Sequence, residues 1–242
     1  TIERLLARLE IRVIRKLYTV IGLTTDSNKT LKTIQQPSEK IGRFSLVYFE
    51  IEEPGNTNLL ETLQQRVQLH TQAIQSAHRD QDALLTQLAE VKKEFSSHEF
   101  SALAEPKAEW LNLFDWMQDL NFSFFGYISY HHAVPQKKAE VACDHDVGLG
   151  ILSAQYLKID TLKLLEGLTA QVWKQREESA PFVLDTIPVL SPVKRFENLM
   201  RLSLKISHKK NEITEHLFLG LLKQSSLHTK NMRTPLIAAK MD

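Results

Sequence analysis

The 242-residue chain has one cysteine, Cys143, and is poor in the residues that mark several protein classes. One cysteine excludes an internal disulfide framework and is typical of a reducing compartment. Eight glycines and eight prolines exclude collagen-like and low-complexity chains. The longest apolar runs, such as 217–222, are strand-sized and shorter than the roughly 20 residues that span a bilayer. We therefore expect a cytoplasmic protein that is not inserted in a membrane.

Charge of one sign is also scarce, because 30 basic residues against 29 acidic ones leave a net charge of +1. Nucleic acids and anionic membranes attract strongly basic surfaces, so neither is an expected partner. Apolar types make up 43% of the chain, too much for general disorder. The chain enters an amphipathic pattern at once, without a signal-peptide core, and we interpret it as a piece of a longer polypeptide.

The first half of the sequence combines helical and strand patterns. Helical spacing covers 1–10, and β-branched and aromatic residues predict strands over 11–24 and 44–52. Both faces of the strand at 44–52 are apolar, so we expect it to be central and covered on both sides. Apolar residues then recur every seven positions from Leu60 to Phe95, with Gln81 as a polar break. They predict a long packing helix, a helical hairpin or bend, or a coiled-coil dimer arm.

The second half predicts a further set of helices and strands. Pro106 suits the first turn of a helix, and strands are expected over 121–130 and 182–190, with a helix over 160–178 between them. Strict alternation over 200–206 predicts a strand with one buried and one wet face, which a turn at 208–211 joins to a partner strand. The sequence thus predicts an α+β protein with antiparallel sheets and two small domains, 1–97 and 105–242, divided near 97–105.

No sequence pattern indicates a catalytic or cofactor site. The segment 148–150, Gly-Leu-Gly, has Ser153 where a dinucleotide fingerprint needs its third glycine. We interpret this segment as a tight turn beside a short strand.

Three histidines and a cysteine lie near one another in the sequence: His131, His132, Cys143 and His145. They lack the paired spacing of structural zinc ligands, so we interpret this segment as a solvated polar loop. Asp144 and Asp146 oppose thiolate formation at Cys143, which argues against a nucleophile. We therefore predict no catalytic, cofactor-binding or metal-ligating residues in this chain.

The segment 191–195 is the candidate ligand-binding site. Ser191, Lys194 and Arg195 place a hydroxyl and a basic pair just ahead of a predicted strand. A basic pair in such a place binds a carboxylate or a phosphate well. The alternative is a surface turn with an interdomain salt bridge.

Several segments, read in order, resemble the N-terminal region of the large bacterial NAD-dependent glutamate dehydrogenases. Residues 110–127 resemble the family's FLRWLADGNFTFLGY, and 148–152 resemble GLGLL. Residues 191–195 are similar to SxVHR, with Lys194 in place of the histidine. Residues 44–51, 216–221 and 235–240 resemble ESLxHxEID, ERRFLGL and IPLLRRK, the last with Ile237-Ala238-Ala239 in place of its arginine-rich part.

The resemblance implies ACT-like and PAS-like modules that precede a dehydrogenase domain. Residues 1–97 correspond to an incomplete ACT-like module with its long helix, and 105–242 to a PAS-like or second ACT-like domain. The implied function is a non-catalytic regulatory or oligomerisation segment of an enzyme that converts L-glutamate to 2-oxoglutarate. NAD is the parent's cofactor, and this segment needs none.

The partners that the resemblance implies are the rest of the polypeptide, the other subunits of a homo-oligomer, and an amino-acid or nucleotide effector. The alternative is a free-standing small-molecule-sensing or scaffolding protein.

Overall fold

A computed structural model gives the fold over residues 2–28, 30–38, 41, 43–52, 57–100, 103, 105–133, 142–143, 148–153, 182–194, 197–207 and 212–223. The chain divides into two compact units, residues 1–67 and 68–242. Within the described ranges, no helix is long and apolar enough to cross a membrane. The predicted helix over 160–178, the turn at 208–211 and the motif at 235–240 lie outside the described residues.

The first unit contains a three-stranded antiparallel sheet. Helix α1 (Ile2–Arg8) precedes strands β1 (Val13–Thr25), β2 (Leu31–Gln35) and β3 (Arg43–Ile51), which pair in the order β2-β1-β3. The carboxylate of Asp26 accepts the backbone N–H groups of Asn28 and Thr30, at 2.9 and 2.8 Å, and so closes the turn between β1 and β2. The predicted helix and both predicted strands are confirmed, and β2 is an additional strand.

Strand β3 lies at the edge of this sheet, so the prediction of a covered central strand is wrong. The long strand β1 takes the central position, because it pairs with β2 along one side and with β3 along the other. The registers place five exposed apolar side chains on one face, here called the apolar sheet face: Leu17, Ile34, Phe44, Leu46 and Tyr48. The apolar pattern of β3 marked a surface that needs a cover, but it did not identify a covering element.

The second unit contains a larger antiparallel sheet with helices. Helix α2 (Thr57–Arg79) starts before the division, and α3 (Gln81–Ser97) and α4 (Lys107–Trp116) follow, the last continuing into a π-helical turn over Met117–Asn121. The strands are β4 (Phe122–Ala133), β5 (Ala142–Cys143), β6 (Leu149–Gly150), β7 (Phe182–Leu190), β8 (Asn198–Ser207) and β9 (Glu212–Leu222). They pair in the order β5-β4-β9-β8-β7, and β6 also pairs with β4. Helices with antiparallel sheets agree with the predicted α+β class.

Asp80 interrupts the long helical segment without reversing the chain. The Asp80 N–H donates to the Ser76 carbonyl at 3.1 Å, and the Leu84 N–H donates to the Asp80 carbonyl at 2.8 Å. Helical hydrogen bonding therefore continues from α2 into α3, which excludes the helical hairpin.

The apolar stripe of α3 packs against the second sheet of the same chain. Its buried residues Leu84, Leu88, Val91 and Phe95 share one core with residues of α4, β4, β7, β8 and β9. The second half of the heptad pattern is thus a packing helix, and it is not available for a coiled-coil arm. The same packing explains why the contacts divide the chain between Val67 and Gln68, whereas the sequence placed the division near 97–105.

Strand β8 is buried on both faces, so the prediction of one wet face is wrong. One face, here called the helix face, carries Leu202 and Leu204 against α3 and α4. The opposite face, here called the far face, carries Arg201 and Ser203, each only 1% exposed. The far face also holds an apolar cluster that includes residues of α2, β4, β9 and the turn after β6: Ala73, Ala77, Ile128, Ile151, Leu152, Leu217 and Leu219.

Candidate functional site

The predicted ligand-binding segment forms the connection between β7 and β8. Ser191 is buried, and its hydroxyl accepts the N–H groups of Val193 and Lys194 at 3.3 and 3.2 Å. Its own N–H donates to the Glu197 carbonyl at 2.8 Å. The Ser191 hydroxyl thus holds a turn, whereas the Lys194 side chain is exposed and Arg195 lies outside the described residues. Ligand binding by these three residues stays a prediction.

The Gly-Leu-Gly segment forms a tight turn beside β6, as the sequence indicated. Gly150 has a φ of 61°, and a Cβ there would lie 2.0 Å from the Phe125 carbonyl oxygen. Ser76 donates its hydroxyl to the Gly150 carbonyl, and Asp80 accepts the Gly150 N–H, both at 2.8 Å. The Arg79 guanidinium hydrogen-bonds to Asp80 and lowers the pKa of that carboxyl. These groups attach the end of α2 to the turn, so the glycines have a structural role.

The helix face carries a hydrogen-bonded chain of three side chains, in which Tyr127 and His216 are buried and Glu94 is 35% exposed. The Tyr127 hydroxyl lies 2.9 Å from His216 Nδ1, and His216 Nε2 lies 3.1 Å from the Glu94 carboxylate on α3. Burial raises the pKa of Tyr127 to about 12, and the nearby charges of Glu94 and Glu90 act in the same direction. A phenol that is so hard to ionise is a poor general base at neutral pH. These three side chains therefore connect α3 to the sheet through polar contacts.

The far face carries a second polar group, here called the arginine cluster, in which the last three residues are buried and the first is 35% exposed: Asp185, Arg201, Ser203 and Glu215. Strand register places Asp185 of β7 directly opposite Arg201 of β8. Arg201 donates from Nε to Asp185 Oδ1 at 2.9 Å and from Nη2 to Oδ2 at 2.5 Å. The Ser203 hydroxyl donates to Glu215 Oε1 at 2.5 Å. The cluster thus consists of two hydrogen-bonded pairs on one face of the sheet, Arg201 with the partly exposed Asp185 and Ser203 with the buried Glu215.

Sequence reasoning missed the arginine cluster because the pattern placed Arg201 and Ser203 on a solvated face. A basic residue that alternates with apolar ones is normally exposed, and lysine or arginine is rarely fully buried unless it is paired. The pairing acid, Asp185, lies 16 positions away in the preceding strand. The register of the β7–β8 pair, which the sequence did not reveal, was needed to connect the two.

The histidine and cysteine residues of the predicted polar loop are described only in part. His131 and His132 belong to β4 and Cys143 to β5, with His131 opposite Ala142 in the register, and His145 lies outside the described residues. Among the residues that the structure describes, no group of three histidine, cysteine, aspartate or glutamate side chains is arranged to hold a metal ion.

Comparison with known proteins does not assign this chain to a family. Neither the protein-family models nor the curated proteins include a match to the chain. The resemblance to the glutamate dehydrogenase region stays a prediction from sequence.

Proposed function

We propose that this chain is a non-catalytic regulatory and oligomerisation segment of a large NAD-dependent glutamate dehydrogenase, and that two copies associate through the apolar sheet face. The parent enzyme is proposed on the resemblance of the sequence segments quoted above. The association is proposed because the apolar side chains of this face are exposed: Leu17, Ile34, Phe44, Leu46 and Tyr48. Their exposure is the main observation in support of the proposal. The segment then acts through contacts, and the parent's chemistry takes place elsewhere in the polypeptide.

The apolar sheet face is a continuous patch, whereas the exposed apolar residues of an ordinary protein surface are scattered singly. Its five side chains are between 47% and 61% exposed and lie side by side across three paired strands. Each leaves on the order of 100 Å² exposed, so the face presents roughly 500 Å² of apolar surface. Two such faces in contact remove roughly 1,000 Å² from water, near the lower bound for a specific interface.

The first unit has little core of its own, which supports the need for a cover. Its buried hydrophobic side chains among the described residues are Leu5, Leu6 and Ile11, all from the N-terminal segment. Glu3 of α1 forms an ion pair with Lys16 at 2.7 Å. Lys16 precedes Leu17 in β1, so its side chain lies on the other face of the sheet. A three-stranded sheet needs a buried apolar face for stability in water, and a partner surface supplies one.

A second copy of the chain suits this face because the centre of the face is uncharged. Identical surfaces that meet across a two-fold axis bring like groups together, so a charged centre causes repulsion. At the rim, Arg15 and Glu50 pair across strands at 3.5 Å and balance each other. Two copies can therefore pack face to face without a like-charge conflict at the centre.

Sedimentation velocity across the micromolar range tests this association. We expect the wild-type chain to form dimers, and we expect Leu46→Lys to weaken the dimer about 10-fold or more, because it places a charge at the centre of the interface. Ile74→Lys is the matched control, since Ile74 is an exposed apolar residue of α2, 37% exposed, that lies on the heptad row rather than on the sheet.

The two variants separate the sheet from a coiled-coil arm. Dissociation by Ile74→Lys with an intact Leu46→Lys dimer would assign the interface to the helix and contradict the sheet proposal. A wild-type chain that stays monomeric throughout would also contradict it. Circular dichroism of each variant confirms that the fold is retained.

A further inference from the structure

The side chain of Arg201 has one buried nitrogen that donates a hydrogen bond to no atom of the described residues. The side chain is 1% exposed, and two of its three nitrogens donate to Asp185. The third nitrogen, Nη1, is buried, and within the described part of the chain no atom accepts its hydrogen bonds. Native proteins pair the large majority of buried polar atoms, so such an atom on a guanidinium needs an explanation.

The geometry of the pair makes Nη1 a specific donor. The fork formed by Nε and Nη2 is fixed on the Asp185 carboxylate, so the remaining nitrogen points in one direction with little freedom. A buried charged donor without an acceptor is costly, and an oxygen with negative charge is the acceptor that compensates for this best. Carboxylates and phosphates provide such an oxygen and match the planar guanidinium.

We propose that the arginine cluster is a binding site for a small oxyanion, a carboxylate or a phosphate group, which accepts from Arg201 Nη1. The site lies on the far face of the second unit, whereas the apolar sheet face belongs to the first unit, and it goes beyond the association proposed above. This assigns a small-molecule site to a strand that the sequence predicted to face water.

Titration of the 242-residue chain with three probes tests the proposal. Acetate offers a carboxylate alone, glycine offers a carboxylate with an ammonium group, and inorganic phosphate offers the other oxyanion. We expect at least one probe to raise the melting temperature above a chloride control of equal ionic strength, and calorimetric titration to give its dissociation constant. The probe that responds distinguishes the two sources of the oxyanion.

Arg201→Lys removes the guanidinium fork and keeps the charge, and we expect it to weaken binding at least 10-fold. Arg15→Lys is the matched control, because Arg15 is also a cross-strand arginine paired with an acid but its side chain is 66% exposed. Wild-type affinity in Arg201→Lys, or a response to none of the three probes, overturns the proposal. If a buried water accepts from Nη1 instead of a ligand, none of the three probes should bind.

A measurement on the unmutated protein covers the case in which Arg201→Lys does not fold. With ¹⁵N-labelled arginine, the buried guanidinium gives slowly exchanging side-chain resonances, and we expect these to move when the responding probe is added. Static resonances at saturating probe overturn the proposal. The sedimentation result is independent, since the apolar sheet face belongs to the first unit, so the two proposals can fail separately.

Discussion

At the scale of single residues, Tyr127 shows how burial changes the chemistry of a side chain. The residue is 1% exposed and contacts His216, which in turn contacts Glu94. Burial raises the pKa of Tyr127 to about 12, above its ordinary value near 10. The neutral phenol is therefore part of the folded state, and its ionisation opposes folding.

The sign of this shift predicts a loss of stability at alkaline pH. The contribution is fully present below pH 10 and is lost as the pH rises through about 12, and it amounts to roughly 2–3 kcal/mol. Tyr127→Phe removes the titrating group together with its hydrogen bond, so we expect a cost of about 1 kcal/mol at neutral pH and a shallower decline above pH 10. Urea unfolding at a series of pH values measures both effects.

Tyr18→Phe serves as the control for this series. Tyr18 is 60% exposed, and its hydroxyl lies 3.3 Å from the Ser45 hydroxyl on the first sheet. We expect its alkaline decline to match that of the wild-type chain. Parallel declines in the wild type and in Tyr127→Phe would show that the buried phenol does not control alkaline stability.

At the scale of elements, the break between α2 and α3 attaches the helical segment to the sheet. Asp80 leaves the helical conformation, with φ −95° and ψ 10°, and its carboxylate accepts the N–H of Gly150 beside β6. Ser76, one turn earlier, donates to the carbonyl of the same glycine. The short strand β6 is thus held by the helix as well as by its pairing with β4.

Asp80→Ala is expected to destabilise the chain by about 1–3 kcal/mol, because it leaves the buried N–H of Gly150 without its charged acceptor. Asp82→Ala is the matched control, since Asp82 is an exposed acid in the first turn of α3, and we expect it to cost less than about 1 kcal/mol. Thermal unfolding of the two variants gives the comparison. Equal costs would mean that the bond between helix and turn contributes nothing of its own.

At the scale of the whole molecule, the two units differ in how much core they have. The second sheet is buried on both faces, and its strands β4, β8 and β9 supply many of the buried residues. The first sheet exposes apolar residues, and its unit buries few. We therefore expect the two units to differ in local stability, because resistance to opening follows the amount of buried apolar surface.

Amide hydrogen exchange on the full chain tests this difference. At a dilution where sedimentation shows monomers, amides of β8 and β9 are expected to exchange far more slowly than those of β1 and β3. At higher concentration, protection of β1 and β3 should rise while that of β8 and β9 stays constant, since only the first sheet gains a cover. Slow exchange of β1 and β3 in the dilute monomer would contradict this account.

The positions of helices and strands were largely predictable from the sequence. The predicted strand at 182–190 coincides with β7, and the alternation over 200–206 lies within β8. Periodicity predicted these elements because it depends on residues that are neighbours in the chain. The candidate site was not predictable in the same way, because Asp185 and Arg201 meet only through the pairing of β7 with β8.

The sequence by itself determined most of the segments that form helices and strands, and that apolar faces such as the one at 44–48 need a cover. Tertiary structure alone decided which faces are covered, which placed Arg201 inside the fold and left Leu46 outside it. The physical reason is that element type depends on local spacing, whereas burial and charge pairing depend on partners brought together by strand register and packing.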